Sequence, residues 1–325
     1  MLPKERIAAA LGFREPDRPP HFEQVFELTR EAFGQDMPDE ESIREARGEE
    51  RLRLFERCAE LYARTVERFK WDAVLVWRPA MVKPVDDPGH PAYEFIPFLK
   101  RYLAERFGYE IPVGAFVWES FISLDTVKDY MDFSIRLYEQ PEQLDAWAKR
   151  MYDAARLHAA RLIDAGVDFI NVNSDHAMNG NTFLRPEQFR RFVYPYAKTL
   201  VSYIRSRGPW VMMHSDGNLM GILDQILDIG PDILQSIDPM AGMDIRRVKQ
   251  IAGGRMGLMG NVQCSLLQDG SEEQIIASAD YCLTHGAPGG GYIYSTSNTI
   301  FKGIPLQNYQ LMVDYFHGKF PEACT

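Results

Sequence analysis

The sequence predicts an α/β protein built as a (β/α)8 TIM-type barrel. Three observations predict it. Eight short apolar runs alternate with stretches whose apolar residues recur three and four apart, the pattern of strands joined by helical crossovers. No Gly-rich dinucleotide fingerprint follows the first run, which disfavours an open doubly wound sheet. The chain has 325 residues, a length that suits one large barrel.

In chain order the predicted strands are Pro20–Gln24, Ala73–Trp77, Val113–Trp118, Asp168–Val172, Trp210–His214, Ile233–Ile237, Met256–Gly260 and Gly291–Ser295. Helical stripes lie between them. Phe55, Cys58, Tyr62, Val66 and Phe69 form one; Trp147, Met151, Ala154, His158 and Leu162 form another. Ser271-Glu-Glu-Gln274 is a capping box, Asp244 suits the N-cap before Val248 and Ile251, and Pro141 and Pro186 suit first turns. Gly166, Gly230 and Gly253-Gly254 suit left-handed helix ends. Residues 28–70 are expected to form an N-terminal helical extension, and 82–110 a loop and helix over one barrel mouth. The whole chain, 1–325, is expected to be one domain.

Hydrophobic residues make up 46% of the chain, enough for a substantial core and too many for a disordered protein. Lys+Arg 36 against Asp+Glu 46 gives a net charge of −10, which argues against nucleic acid or an anionic membrane as the main partner. A small-molecule substrate is expected, and a homodimer stays open. Four scattered cysteines do not make a disulfide framework and suit a reducing compartment. The first residues lack a signal-peptide pattern and no apolar run approaches membrane-spanning length, so a cytoplasmic protein is expected.

Barrels of this kind carry their chemistry at the C-terminal ends of the strands. The polar residues there are His21 and Glu23, Arg78, Glu119, the Asn173/Asp175/His176 group, His214 and Asp216, Asp238, Asn261 with Gln263 and Cys264, and Ser295, Ser297 and Asn298. His214-Ser-Asp216 can supply two metal ligands, or a base with its orienting partner, and Cys264 can add a soft ligand. Equally, His214 can bond backbone and Cys264 can pack as a small hydrophobe. Asp175 suits an N–H-rich ligand or a helix cap. Glu119, between Trp118 and Phe121, suits a proton donor or a salt bridge. Gly289-Gly-Gly291 precedes a strand, so close backbone packing or a flexible hinge explains it better than a phosphate cradle. His158, Cys58 and Cys282 fall on apolar helical faces and read as packing residues; Cys324 reads as solvent-facing.

Five segments in order carry a family resemblance: Asp168-Phe-Ile-Asn-Val-Asn-Ser-Asp175; Arg185-Pro-Glu-Gln-Phe189 with Tyr194-Pro195-Tyr196; His214-Ser-Asp-Gly-Asn218; Gly260-Asn261-Val262; and Gly291-Tyr-Ile-Tyr-Ser-Thr-Ser-Asn298. Together they resemble the uroporphyrinogen decarboxylase superfamily over about residues 1–317. That resemblance implies a distorted (β/α)8 barrel with a deep mouth. It also implies one of two activities: cofactor-free decarboxylation of a tetrapyrrole, or methyl transfer to or from a cobalt corrinoid, typically with zinc.

The decarboxylase pattern is departed from at four places. An Arg-Gln-Ala-Gly-Arg signature is replaced by Glu23-Gln-Val-Phe-Glu-Leu-Thr-Arg30, and a substrate-centring aspartate falls on Pro79. Gly-Asn-Leu-Asp-Pro becomes Gly260-Asn-Val-Gln263-Cys264, and a late histidine falls on Asn298. A substrate with eight carboxylates needs those arginines.

The zinc-binding His-X-Cys of the methyltransferases appears as His214-Ser-Asp216, and their later cysteine is replaced near Ser297 and Asn298. The resemblance therefore implies a corrinoid-dependent methyltransferase acting on a small donor such as a methyl ether. Zinc would be held by His214 and Asp216, with Cys264 added from its place two strands further on and not from the resemblance. Glu119, His176 and His214 would be catalytic. Glu23, Arg78, Asn173, Asp175, Asp238, Asn261, Ser297 and Asn298 would hold substrate or corrinoid. The chain has no Asp-X-His-X-X-Gly corrinoid signature, so cobalamin would come on a separate corrinoid protein or free in solution. The alternatives are the decarboxylase and a non-catalytic corrinoid or tetrapyrrole binder.

Overall fold

A computed structural model describes residues 1–79 and 89–321. Seven parallel strands follow one another in a single sheet: β1 (Val74–Val76), β2 (Val113–Trp118), β3 (Phe169–Asn173), β4 (Trp210–His214), β5 (Ile233–Ser236), β6 (Gly257–Val262) and β7 (Tyr292–Thr296). Each pairs with the next in sequence, so the sheet curls into a barrel with helices outside. Every strand residue but Trp118 and Trp210 is buried.

The eighth expected strand, Pro20–Gln24, does not form as a strand. It lies at the seam between β1 and β7, where Tyr294 N–H donates to the Pro20 carbonyl and Asp72 N–H to the His21 carbonyl, both at 2.8 Å. Only isolated parallel bridges, His21 to Tyr294 and Phe26 to Ile300, mark the ladder. Two causes are visible. Pro19 and Pro20 have no N–H to donate. The Glu23 carboxylate accepts the Thr296 N–H at 3.0 Å and so replaces a backbone acceptor. The seam is fixed by Asp72, which accepts from Arg6 at 2.5 Å, Arg18 at 2.6 Å and the His21 N–H at 2.8 Å. All three side chains of that ion cluster are buried, which ties helix Pro3–Leu11 to the barrel.

The helical stretch expected over 28–70 consists of helices Thr29–Phe33, Glu40–Glu45 and Gly48–Phe69, which lead from the seam segment to β1. Helix Pro91–Phe107 does not cover the mouth. Phe95 and Phe98 pack on Phe55, and Phe95 on Tyr62, so it lies on the flank against helix Gly48–Phe69. Its apolar stripe (Phe95, Ile96, Leu99, Leu103) requires that burial. The part of the expected loop at 82–88 lies outside the described residues, as does Cys324.

The caps follow the sequence signals. Gln274 N–H donates to Ser271 Oγ and Gln274 Oε1 accepts from Ser271 N–H, and Asp244 accepts from Arg247 N–H at 2.7 Å. Inside the barrel Phe22 meets Phe169, with ring centroids 5.6 Å apart. Gly114 makes room for it, since a Cβ there would lie 2.3 Å from the Phe169 ring. Side chains two apart on a strand share a face. Residues 22 and 24 of the seam, and 169, 171 and 173 of β3, therefore line the barrel interior, and Gln24 reaches Asn173 at 2.9 Å. The Gly289–Gly291 stretch is a close backbone approach, as expected: a Cβ on Gly290 would meet Arg14 backbone at 2.8 Å.

Candidate metal centre

Strand register sets Asn173, His214 and Gln235 side by side in one row at the C-terminal end of the barrel. Just beyond that row the chain turns twice. Asp175 lies two residues past β3 and Asp216 two past β4, and the two loops are locked together. Asp216 N–H donates to Asp175 Oδ1, His176 N–H to Ser215 Oγ and Asn218 N–H to the Met178 carbonyl, each at 2.9 Å. Gly217 allows this approach. Its φ is +82°, and a Cβ would lie 2.4 Å from the Ala177 carbonyl oxygen.

The result is a compact donor set. Asp175, His214 and Asp216 each offer a ligand atom, and these atoms lie within 4.8 Å of one another. His214 Nε2 is 3.5 Å from Asp175 Oδ1 and 3.8 Å from Asp216 Oδ1. Two ligands each about 2.1 Å from a tetrahedral zinc lie about 3.4 Å apart, so the spacing fits one ion with a position left open. The chemistry of the donors fits as well: one imidazole nitrogen and two carboxylates make a harder set than a thiolate site. Burial holds the Asp175 carboxyl above the ordinary aspartate value; His214 offsets this and Asp216 adds to it.

The ligands are themselves held. Asp216 Oδ1 accepts from Ser236 Oγ at 2.7 Å and its Oδ2 from Asn298 Nδ2 at 2.5 Å. His214 Nδ1 bonds the Gln235 side-chain oxygen. Gln235, Ser236 and Gln24 were not singled out in the sequence. Two polar residues ending the apolar run Ile233–Ser236, and a glutamine inside the 20–24 run, were the available signals.

Several expected site residues stand elsewhere. Cys264 is not in the donor set: its Sγ is 3.9 Å from the Thr299 carbonyl, and burial pushes its thiol up to about 12, so it stays protonated. The third member of the donor set is instead Asp175, expected as a substrate- or corrinoid-binding group. His176 is not placed as a proton donor, because its ring packs against Phe121 and Phe189 and burial lowers it to about 3. Glu23 is buried and accepts from Ser295 Oγ and Thr296 Oγ1, each at 2.7 Å, so it serves the seam and not the mouth. Asn261 is a buried latch, donating to the Ile237 carbonyl at 2.7 Å. Ser297 Oγ accepts from Cys264 N–H at 3.4 Å.

The rest remain near the mouth. Asn173 is beside His214, and Asn298 holds Asp216. Asp238 caps the turn Pro239–Ala241 through Met240 N–H at 2.9 Å, with its carboxyl raised first by burial. Arg78 follows β1 and stacks over Trp77, 5.0 Å from the ring centroid. Glu119, at φ +48°, lines a cleft of about 360 Å³ with Trp118, Lys128, Trp147 and Arg150. His158, by contrast, is a packing residue, its ring between the Tyr93 hydroxyl at 2.7 Å and the Phe116 carbonyl at 3.0 Å.

The fold and this cluster define a TIM-type barrel with a candidate metal centre at the C-terminal mouth. A family model for uroporphyrinogen decarboxylase (URO-D) matches residues 79–318, and the chain belongs to that family. Among curated relatives it is 25% identical over 195 residues to a uroporphyrinogen decarboxylase from Chlorobium luteolum, covering 58% of this chain and 52% of that protein. It is 22% identical over 243 residues to one from Carboxydothermus hydrogenoformans, covering 73% and 65%. The chain thus spans about half the length of the first of these relatives. Among solved structures, a methyltransferase from Methanosarcina mazei superposes with a TM-score of 0.74 at 19% identity, over 98% of this chain and 99% of that one. A B12-independent methionine synthase from Shewanella reaches 0.53 at 11% identity, over 86% and 90%. At these identities both share the fold with this chain. No helix among the described residues is long and apolar enough to cross a membrane.

Proposed function

We propose that the protein is a metal-dependent methyltransferase of the URO-D family, moving a methyl group between a small donor such as a methyl ether and a corrinoid carried by a separate protein. The observation that carries this reading is the Asp175–His214–Asp216 donor set. The name of the Methanosarcina neighbour, a methyltransferase, is consistent with it. Zinc held there would supply Lewis acidity to the oxygen that the methyl group leaves. His214, Asp175 and Asp216 would hold the ion, and Ser236 and Asn298 would keep Asp216 turned toward it. Asn173, beside His214, contacts the substrate. As the methyl carbon passes from oxygen to the cobalt nucleophile, the leaving oxygen takes up a proton from solvent.

A second reading, decarboxylation of uroporphyrinogen or a related carboxylated ring, is favoured by the names of the curated relatives. The charge at the mouth opposes it. Asp175, Asp216 and Asp238 would face a polycarboxylate, and four positions that hold the porphyrinogen in that pattern are changed.

Metal content is the deciding measurement, made on the chelator-free protein beside His214→Ala. About one zinc per chain, lost in the variant, together with methylcobalamin formed from cob(I)alamin and a methyl ether, is the expected result. Protein that takes up no divalent metal, or that releases carbon dioxide from uroporphyrinogen, would overturn it.

A further inference from the structure

Neighbouring residues on a strand point to opposite faces, yet Gln235 and Ser236, consecutive at the end of β5, both bond the metal cluster. Gln235 bonds His214 Nδ1 and Ser236 bonds Asp216 Oδ1. The backbone bends to allow it: φ is 95° at Ser236 and 51° at Ile237, values that side-chain-bearing residues rarely adopt. Gly260 of the adjacent strand leaves space for the bend, since a Cβ there would lie 2.5 Å from the Ser236 carbonyl oxygen. Strained backbone of this kind persists where surrounding structure holds it and concentrates at functional sites.

We propose that Gln235 and Ser236 form an orienting clamp on the metal ligands, in which Gln235 fixes His214 as the Nδ1-protonated imidazole and Ser236 fixes the rotation of Asp216. The inference rests on the metal reading above. The Gln235 side-chain oxygen is only an acceptor, so the proton of that hydrogen bond sits on Nδ1. The Nε2 lone pair then faces Asp175 and Asp216, as a ligand must. Gln235 is a neutral amide, so the clamp adds no charge: one divalent ion balances the two aspartates. A bent strand end can reach both His214 at the end of β4 and Asp216 in the loop that follows it, which a straight one cannot.

The test uses the full chain and zinc competed against a chelating dye. Gln235→Leu should weaken zinc binding by roughly 10–100-fold, the usual loss when a ligand's supporting partner is removed. Gln235→Glu, which still accepts from Nδ1–H, should return it to within several-fold of wild type. Ser236→Ala should weaken it by a smaller factor. Histidine ¹⁵N spectra of the zinc-free protein should show His214 protonated at Nδ1, and Gln235→Leu should lose that signature. A general packing defect would not be rescued by glutamate and would not set the tautomer. If Gln235→Leu does not fold, Gln235→Met takes its place. Unchanged zinc affinity in both Gln235→Leu and Ser236→Ala, or an Nε2-protonated His214 in the wild type, would overturn the proposal. Wild-type protein that binds no metal would instead overturn the function proposed above, with the tautomer still deciding whether Gln235 orients the ring.

Discussion

Asp175 takes the place in the donor set that was expected of Cys264. The carboxylate is brought to His214 by two interlocked loops, while the thiol is turned to the Thr299 carbonyl and kept protonated by burial. A thiol that stays neutral is a poor ligand. Cys264→Ser is therefore expected to keep zinc affinity within about twofold, whereas Asp175→Ala, which removes one of the three proposed ligands, should lower it by at least about tenfold. Competition with a chelating dye measures both. Equal losses in the two variants would return Cys264 to the site. Asn298 shows a related substitution of role. The strand end that carries a ligand or a histidine in the resembled patterns here carries an amide that donates to Asp216.

At the scale of elements, the site depends on how tightly the loops after β3 and β4 meet. Gly217 is the contact point, with both a left-handed φ and no room for a Cβ. Gly34, at φ +75° but with nothing within 4 Å, shares only the first constraint. Gly34→Ala is expected to cost about 1–2 kcal/mol for the left-handed backbone and to leave metal binding unchanged. Gly217→Ala should cost more, because the Ala177 backbone must also move, and should weaken zinc binding by displacing the Asp175 loop. Urea unfolding of both variants, with zinc titration, separates strain from displacement. The bend at Ser236 and Ile237 follows the same logic: backbone strain of about 1–3 kcal/mol per residue is retained where it aims side chains at the cluster.

For the whole molecule, the buried histidines set the response to acid. Burial holds His158 and His176 at about 3, against an ordinary value of 6.5. The unfolded chain binds protons below 6.5 that the folded chain refuses. Their contribution is thus fully present above that pH and is lost as pH falls toward 3. Each group then costs about 1.4 kcal/mol of stability per pH unit in that window. Urea midpoints should fall steadily from pH 7 to pH 5. His158→Gln or His176→Gln should flatten the slope, and a slope unchanged in both variants would refute the assignment.

The alternation of apolar runs and helical stripes, the caps at Ser271 and Asp244, and the prolines at helix starts are local properties, and they determined the barrel and most of its elements from the sequence alone. His214 and Asp216 were legible for the same reason: two residues apart, they must lie at one strand end. Tertiary structure decided what depends on residues far apart in the chain. Whether Pro20–Gln24 becomes a strand rests on Glu23 taking the Thr296 N–H from 273 positions away. Whether helix Pro91–Phe107 covers the mouth rests on rings of helix Gly48–Phe69. Which third group joins His214 rests on hydrogen bonds between two loops, and Gln235 and Ser236 acquire their role only through a bend that Gly260 makes room for. Local chemistry repeats along a sequence, but a site is a set of distances between strands, and those are fixed only when the barrel closes.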